Sequence, residues 1–235
     1  MIRGVLFDID DTLIDYSGSD EIGVVAHMRD EGLLHHFPTP AAALTLWREI
    51  MDIEYARFLA GELTFAGQQR ERTRRFFAHI GEPEPDDQQA WYARYKAHRD
   101  THRRAFPDAE PALRKLAPDY RLGIVSNSSI SHQRRKLDSF GLLPYFGDAI
   151  VCSDPHGAAK PIASIFLAGC DALGLTPDEV AYVGDKYTVD ALGAQAAGLH
   201  GYWLDRAATG TVTEPGIRVV TTLDDLPAAL RRDLA

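Results

Sequence analysis

The sequence predicts an α/β protein whose core is a doubly wound parallel sheet, with an all-α segment inserted after the first strand. Three observations lead to this class: a short apolar run near the N-terminus, helical periodicity without strands over residues 20–106, and apolar strands alternating with helices thereafter. Such alternation is typical of a parallel sheet covered on both faces. The opening run belongs to the same sheet, so the helical segment interrupts it.

Composition fits this class. With 235 residues, 45% hydrophobic and 25% charged, the chain resembles an ordinary folded protein that buries a sizeable core. The formal charge of −9 argues against nucleic-acid binding. No apolar run approaches the roughly 20 residues of a membrane span, and Cys152 and Cys170 lack metal-type spacing. We therefore expect a soluble, cytoplasmic protein without nucleic-acid or membrane partners.

The inserted segment is expected to form four helices in a compact bundle. Apolar and aromatic residues recur at helical spacing in each of them, and Gly81 with Pro83 ends the third. The positions that mark the four stripes are Ile22, Val25 and Met28; Leu44, Trp47, Ile50, Met51, Tyr55 and Phe58; Phe65, Arg72, Phe76 and Ile80; Trp91, Tyr95, His98 and His102.

After the insertion, strands and helices alternate to the end of the chain. Asp108 is expected to cap a helix that runs to Leu116. The strands are predicted over residues 122–125, 149–152, 180–183, 201–204 and 218–221. The main later helices are predicted over residues 129–140, 161–173 and 226–234, with one more closing at Gly198.

The opening strand delivers two carboxylates, Asp8 and Asp10, two residues apart. Side chains alternate along a strand, so both point to the same side. Like charges held so close repel, and burial adds a desolvation cost. The pair therefore indicates a site for a cation, for acid–base chemistry, or for both.

Polar residues also follow three further strands, at Ser126-Asn127, at Lys160 and at Gly184-Asp185 with Asp190. In open α/β sheets the ligand lies beyond the carboxyl ends of the strands. Each residue has a plainer interpretation: a helix cap for Ser126, a solvated surface lysine, or acids in a first helical turn. However, Pro161 suits the first position of a helix, which would place Lys160 beside a positive dipole end and suggests that it binds an anion. The joint placement at one rim favours a functional site.

These residues resemble the motifs of the haloacid dehalogenase (HAD) superfamily. The first motif, Asp-x-Asp-x-Thr, matches Asp8, Asp10 and Thr12, and the second resembles Ser126 with Asn127 beside it. The third resembles Lys160-Pro161, and the fourth, Gly-Asp-x-x-x-x-Asp, matches Gly184, Asp185 and Asp190. The sequence departs from the usual pattern at Lys186 and Val189, and at Ile162-Ala163, where the third motif often continues with Asp-Pro.

The resemblance implies a HAD-like core over residues 1–16 and 106–235, with a C1-type helical cap over 17–105. It implies a Mg²⁺-dependent phosphatase in which Asp8 is the nucleophile and Asp10 the general acid and base. Asp8, the Asp10 carbonyl and Asp185 would hold Mg²⁺, while Ser126, Asn127 and Lys160 would bind substrate. Asp190 would orient Lys160 or metal-bound water, and Thr12 would bond locally and shape the loop.

Other readings stay open at this stage. A 2-haloacid dehalogenase or a phosphomutase could use the same scaffold, although a dehalogenase needs no general acid at Asp10. A non-enzymatic phospho-receiver or binding module is a third alternative. The expected partner is a small phosphorylated metabolite, chosen by the insertion, and the sequence allows a monomer or a homodimer.

Overall fold

The computed structural model describes residues 1–210 and 214–232, and the chain forms two compact units. The α/β unit combines Met1–Asp15 with Ala105–Ala235, and the helical unit is Tyr16–Arg104. The helical unit and the second segment of the α/β unit thus each begin one residue before their predicted starts at residues 17 and 106. Among the helices that the structure describes, none combines the length and the apolar character that crossing a bilayer requires.

The sheet of the α/β unit is parallel throughout, as predicted. Its described strands, in chain order, are β1 (Gly4–Phe7), β2 (Arg121–Ser126), β3 (Ile150–Cys152), β4 (Val180–Gly184), β5 (His200–Leu204) and β6 (Arg218–Val220). Their order across the sheet is β3-β2-β1-β4-β5-β6. The chain winds outward from β1 on one side and from β4 on the other. The topological switch point, where such sheets bind ligands, therefore lies between β1 and β4.

The helical unit contains four described helices, as predicted. They are α1 (Tyr16–Asp30), α2 (Pro40–Leu59), α3 (Phe65–Ile80) and α4 (Gln88–Thr101). Their core is aromatic, with Trp47, Phe76, Trp91 and Tyr95 fully or almost fully buried. Three of these rings lie within about 6 Å of Trp47, which packs at the centre of the unit.

The buried face of α1 differs from the predicted one. Ile22 is 47% exposed and Val25 is half-buried, whereas Val24, His27 and Met28 are buried. The predicted stripe was therefore wrong at two of its three positions. The buried face of α1 also contains the polar residues Ser19, Asp20 and His27, so the spacing of apolar residues alone predicted the wrong face.

Helices cover both faces of the sheet. In chain order they are α5 (Ala109–Leu116), α6 (Ile130–Asp138), the short α7 (Ser153–His156), α8 (Ala163–Leu173), α9 (Leu192–Ala196) and α10 (Leu226–Arg232). Successive residues of β1 enter different cores, Val5 and Phe7 on one face and Leu6 on the other. This confirms the doubly wound class. The predicted end of the last helix, at 234, lies outside the described residues.

The start of one helix and the capping of another differ from prediction. Helix α8 begins at Ala163 rather than at residue 161, because Ile162 has an extended backbone. Asp108 precedes α5 but makes no side-chain capping bond. Its carboxylate instead accepts hydrogen bonds from Arg206, at 2.9 and 3.0 Å, and from the Leu223 N–H at 2.9 Å. The acid thus joins distant segments of the unit rather than capping the helix that follows it.

Candidate active site

The loop after β1 holds Asp8 and Asp10 at the carboxyl edge of the sheet. The strand ends at Phe7, so both acids follow it, although the Asp8 N–H still donates to a β4 carbonyl at 2.9 Å. Ile9 between them is fully buried and anchors the loop in the core. Asp11 then turns the chain with φ 59°, a left-handed conformation that aspartate tolerates better than most residues.

Lys160 lies between two carboxylates in the interior of this site. Its ammonium donates to Asp8 Oδ1 at 2.8 Å, to Asp190 Oδ1 at 2.7 Å and to the Tyr182 hydroxyl at 2.6 Å. Lys160 is only 2% exposed, which rules out the solvated-lysine interpretation. Burial alone would lower the pKa of Lys160, but Asp190 and Asp8 together raise it well above its ordinary value. The ammonium is therefore a fixed positive charge beside Asp8.

Asn127 fixes the backbone of Lys160. The Asn127 carboxamide donates to the Lys160 carbonyl at 2.9 Å and accepts from the Lys160 N–H at 2.7 Å. These bonds hold the segment apart from α8, which explains why Pro161 does not begin that helix. The predicted dipole argument for Lys160 was therefore wrong, and its two carboxylate partners account for its placement.

Asp185 joins Asp8 and Asp190 in a cluster of three carboxylates. One oxygen from each lies within 4.8 Å of the other two. Burial, opposed by Lys160, raises the pKa of Asp8 to about 6, and burial with the neighbouring Asp190 and Asp8 charges raises the pKa of Asp185 well above its ordinary value. Asp185 Oδ1 is buried with no hydrogen-bond partner. Oxygen donors that lack sufficient positive charge fit a hard divalent cation.

Asp190 is fixed by the turn that precedes it. Its Oδ2 accepts the Lys186 N–H at 2.9 Å while its Oδ1 accepts from Lys160. A side chain at Gly184 would collide with Asp190, since a Cβ there would overlap the carboxylate group. The glycine of the Gly-Asp pair is therefore required by close packing.

Asp10 has its own cation, which the sequence did not indicate. Lys136 Nζ donates to Asp10 Oδ1 at 2.5 Å, and Gln133 Nε2 donates to Asp10 Oδ2 at 3.1 Å. The same Gln133 nitrogen donates to Ser126 Oγ at 2.8 Å. Asp8 and Asp10 thus have separate lysines, and Ser126 is connected to Asp10 through one amide.

Comparisons with known proteins identify the family of this chain. Residues 2–198 match the family profile described as hydrolase, haloacid dehalogenase-like hydrolase. The chain belongs to the HAD-like hydrolase family. It is 33% identical over 238 residues to phosphoglycolate phosphatase from Cereibacter sphaeroides, covering 99% of both chains. It is 30% identical over 209 residues to glyceraldehyde 3-phosphate phosphatase from Methanopyrus kandleri, covering 85% of this chain and 82% of the other.

Solved structures of this family share the fold. The magnesium-bound HAD-hydrolase YfnB from Bacillus subtilis superposes with a TM-score of 0.81 over 97% of this chain and 98% of its own. Its sequence is 23% identical, so the likeness concerns the fold. This HAD-like hydrolase thus has the residues that resemble the family's motifs at the carboxyl edge of its sheet.

Thr12 of this hydrolase bonds locally only through its backbone N–H, which donates to the Ile9 carbonyl at 3.3 Å, and not through its hydroxyl. Its Oγ1 is buried and has no hydrogen-bond partner. Its carbonyl accepts from Arg206 Nη2 at 2.7 Å, and Arg206 in turn pairs with Asp108. The Thr12 carbonyl, rather than its hydroxyl, therefore ties the loop that carries Asp8 and Asp10 to Arg206, which is remote from it along the chain.

Four contributors to the site escaped the sequence reasoning: Gln133, Lys136, Tyr182 and Arg206. For Gln133 and Lys136 a signal existed, because residues three apart on a helix share a face and this helix follows the strand that ends in Ser126. Tyr182 gave no signal, since a tyrosine inside an apolar strand is ordinary core. Arg206 gave none either, because its partner is remote in sequence.

Proposed function

We propose that this hydrolase cleaves phosphomonoesters of small metabolites through a phosphorylated Asp8. The observation that carries the proposal is the setting of Asp8, which accepts from a buried ammonium and lies in a carboxylate cluster suited to a divalent cation. A carboxylate attacks an anionic phosphate readily only where positive charge offsets both. Two relatives described as phosphatases of phosphoglycolate and glyceraldehyde 3-phosphate support this reaction class.

The reaction has two displacements. A carboxylate oxygen of Asp8 attacks phosphorus in line, the bond to the ester oxygen breaks, and Asp10 gives its proton to the departing alkoxide. Water then attacks the phosphorus of the aspartyl-phosphate, Asp10 takes the proton of that water, and the Asp8 carboxylate is regenerated with inorganic phosphate. Each residue ends in its starting protonation state.

Mg²⁺ fits the residues present, and the fit rests on the orphaned Asp185 oxygen and the raised carboxyl pKa values. Asp8, the Asp10 backbone carbonyl and Asp185 would hold it. The ion, when bound, offsets the negative charge of nucleophile and phosphate. Asp190 accepts from Lys160 and so belongs to the support of that lysine.

The remaining residues bind and position. Lys160 and the Ser126 hydroxyl would contact the oxygens of the transferred phosphoryl group. Both polar ends of the Asn127 side chain are bonded to the Lys160 backbone. We therefore assign Asn127 to holding Lys160 rather than to direct contact with substrate.

Asp10 favours a phosphatase over a dehalogenase. A halide leaves without a proton, so a dehalogenase has no use for a second acid held by its own lysine and glutamine. A phospho-receiver is disfavoured because its accepting aspartate ends a middle strand and no helical insertion follows it. In this protein Asp8 follows the first strand and precedes the helical insertion. A phosphomutase shares the motifs, and release of inorganic phosphate from the substrate distinguishes the two.

The test is the variant Asp8→Asn, assayed for Mg²⁺-dependent phosphate release over a panel of phosphorylated sugars, hydroxy acids and nucleoside monophosphates. We expect loss of about four orders of magnitude or more, since covalent catalysis loses its nucleophile. Wild type should release no chloride from 2-chloropropionate.

Asp171→Asn serves as the matched control because Asp171 is an exposed carboxylate on α8. It should keep wild-type activity, and Asp8→Asn should keep the wild-type circular dichroism spectrum. Substantial hydrolysis by a folded Asp8→Asn variant would reject the covalent mechanism.

A further inference from the structure

Two clusters of metal-ligating side chains lie among the residues that the structure describes, and only one of them is the carboxylate cluster around Asp8. The other consists of His35, His36 and Glu82 in the helical unit. One ring nitrogen from each histidine and one carboxylate oxygen of Glu82 lie within 4.8 Å of one another. Two imidazoles and one carboxylate form the ligand set of zinc sites that have three protein ligands.

The packing of the helical unit brings the three side chains together. The two histidines belong to a short 3₁₀ turn, Leu34–His36, between α1 and α2. Phe37, directly after this turn, stacks on Phe76 of α3 with ring centroids 6.1 Å apart. Glu82 follows the end of the same helix, where its N–H donates to the Phe77 carbonyl at 3.2 Å. Aromatic packing and a backbone hydrogen bond therefore hold the histidine turn and Glu82 side by side.

A backbone hydrogen bond sets the tautomer of His35. Its Nδ1 lies 2.7 Å from the Gly32 carbonyl oxygen, and because a carbonyl only accepts, Nδ1 carries the hydrogen. The neutral ring then has its lone pair on Nε2, and a neutral imidazole is the form that binds a metal. Metal-bound histidines usually donate their other N–H to a carbonyl or carboxylate in this way, which orients the ring.

His36 and Glu82 approach each other without forming a hydrogen bond. The Nε2 of His36 is 3.3 Å from Glu82 Oε1, yet this nitrogen is buried and has no hydrogen-bond partner. Two ligands held tetrahedrally at roughly 2.0–2.2 Å from one Zn²⁺ are about 3.3–3.6 Å apart. The observed separation therefore suits two ligands of a shared ion. The Glu82 side chain is 43% exposed, so water can reach a fourth position.

The plainer interpretation is an ion pair between protonated His36 and Glu82. An exposed pair of this kind contributes little to stability, and it has no use for a second imidazole. The His35 ring nevertheless packs against the His36 ring, with centroids 3.9 Å apart, and its nitrogen belongs to the same cluster. A shared cation accounts for all three side chains.

We propose that His35, His36 and Glu82 bind one divalent transition-metal ion of the Zn²⁺ class, with water as the fourth ligand. Imidazole nitrogens suit such ions, whereas Mg²⁺ prefers oxygen ligands in octahedral geometry. The site therefore takes a different ion from the carboxylate cluster around Asp8. The bound ion links the turn between α1 and α2 to the end of α3 and stabilises the helical unit.

The test measures Zn²⁺ binding to the whole chain, prepared without a histidine tag and treated with EDTA, by calorimetry at constant ionic strength. Excess Mg²⁺ competes for the carboxylate cluster. The variant Asp185→Asn, which lacks one carboxylate of that cluster, is titrated in parallel to recognise Zn²⁺ bound there. We expect one Zn²⁺ site that neither Mg²⁺ nor Asp185→Asn removes.

The variants His35→Gln, His36→Gln and Glu82→Gln each remove one ligand. Loss of an outer partner of a metal ligand already costs about 10–100-fold in affinity, so we expect each variant to weaken Zn²⁺ binding by about a hundredfold or more. The matched controls are His102→Gln and Glu49→Gln, which change an exposed histidine and an exposed glutamate of the same unit. Both should bind Zn²⁺ as wild type does, and circular dichroism checks that every variant is folded.

Melting temperatures provide a second measurement, because an ion that binds only the folded state stabilises it. In the Asp185→Asn protein, Zn²⁺ but not Mg²⁺ should raise the melting temperature, and adding His36→Gln should abolish the rise. Absence of a Zn²⁺ site in Asp185→Asn, or unchanged affinity in folded His36→Gln, would overturn the proposal. A site that requires the histidines but survives Glu82→Gln is a histidine pair alone, and this outcome also contradicts the three-ligand site.

Discussion

At the scale of single residues, the site separates two carboxylates that would otherwise repel each other. Asp8 accepts from Lys160, and Asp10 accepts from Lys136, which is only 3% exposed. A buried lysine requires a partner. Because Lys136 touches Asp10 and Gln133 holds its other oxygen, we interpret both as residues that position the general acid.

Lys136→Met should therefore slow the step in which Asp10 protonates the leaving oxygen. Alkyl phosphates need a proton on their leaving oxygen, whereas the leaving group of p-nitrophenyl phosphate departs with little help. Since general acid catalysis contributes roughly 10²–10⁴-fold, we expect kcat to fall about tenfold to a hundredfold for an alkyl phosphate, and by much less for p-nitrophenyl phosphate.

Two controls accompany this measurement. Lys136→Arg should recover part of the alkyl phosphate activity, and Lys115→Met should resemble wild type because Lys115 is exposed. Equal losses on both substrates would mean that Lys136 is only structural.

At the scale of elements, the sequence predicted the strands and the polar residues that follow them. It did not predict the contacts that long side chains make with residues remote in sequence. The strands and the rim of polar residues follow from the apolar runs and from the residues that end each run, whereas no sequence pattern predicted the order of the strands across the sheet. Asp8, Ser126 and Asp185 were therefore found. The pairing of Asp10 with Lys136 spans 126 residues along the chain. Helical spacing places Gln133 and Lys136 on one face, but it does not identify Asp10 as their partner.

Predictions from neighbouring residues also failed where tertiary contacts determine the backbone conformation or the buried face of a helix. Pro161 suits a helix start, yet the Asn127 amide holds the preceding residue and delays α8 to Ala163. On α1, apolar spacing favoured Ile22, but the helix turns Gly23 and Val24 inward. The reason for that rotation is the close approach of α1 to α4 at Gly23, which the spacing of apolar residues does not indicate.

Gly23 makes this approach possible and provides a test. A Cβ at Gly23 would lie 2.5 Å from Arg99 Cα and 2.7 Å from Arg99 N on α4, and backbone cannot yield as a side chain can. Despite the better helix propensity of alanine, we expect Gly23→Ala to lower the free energy of unfolding by roughly 1–3 kcal/mol, the usual cost of overpacking. Urea denaturation measures the change.

Ile22→Ala is the control for that variant, because Ile22 lies next in the same helix and is exposed. Its effect should stay within about 0.5 kcal/mol. A Gly23→Ala protein as stable as wild type would show that α1 and α4 can separate without cost.

At the scale of the whole molecule, an acidic chain concentrates carboxylates where a cation would bind. Asp8, Asp185 and Asp190 face one another with Lys160 as their buried cation. For an acid whose folded pKa is raised, stability is lost as pH rises through that pKa. With its pKa raised to about 6, Asp8 thus lowers the stability of the metal-free protein as pH rises from about 4 to about 6, and the loss persists above pH 6.

Mg²⁺ should offset this loss in a pH-dependent way. Below about pH 6 the ion must displace the proton of Asp8, whereas above it that carboxylate is free to bind, and the raised pKa of Asp185 acts in the same direction. We expect the rise in melting temperature on adding Mg²⁺ to be small near pH 5 and to grow towards about pH 8, as binding to the folded state alone requires. Differential scanning fluorimetry at constant ionic strength measures it. Asp185→Asn should abolish the shift and Asp171→Asn should keep it, whereas a shift independent of pH or of Asp185 would locate the ion elsewhere.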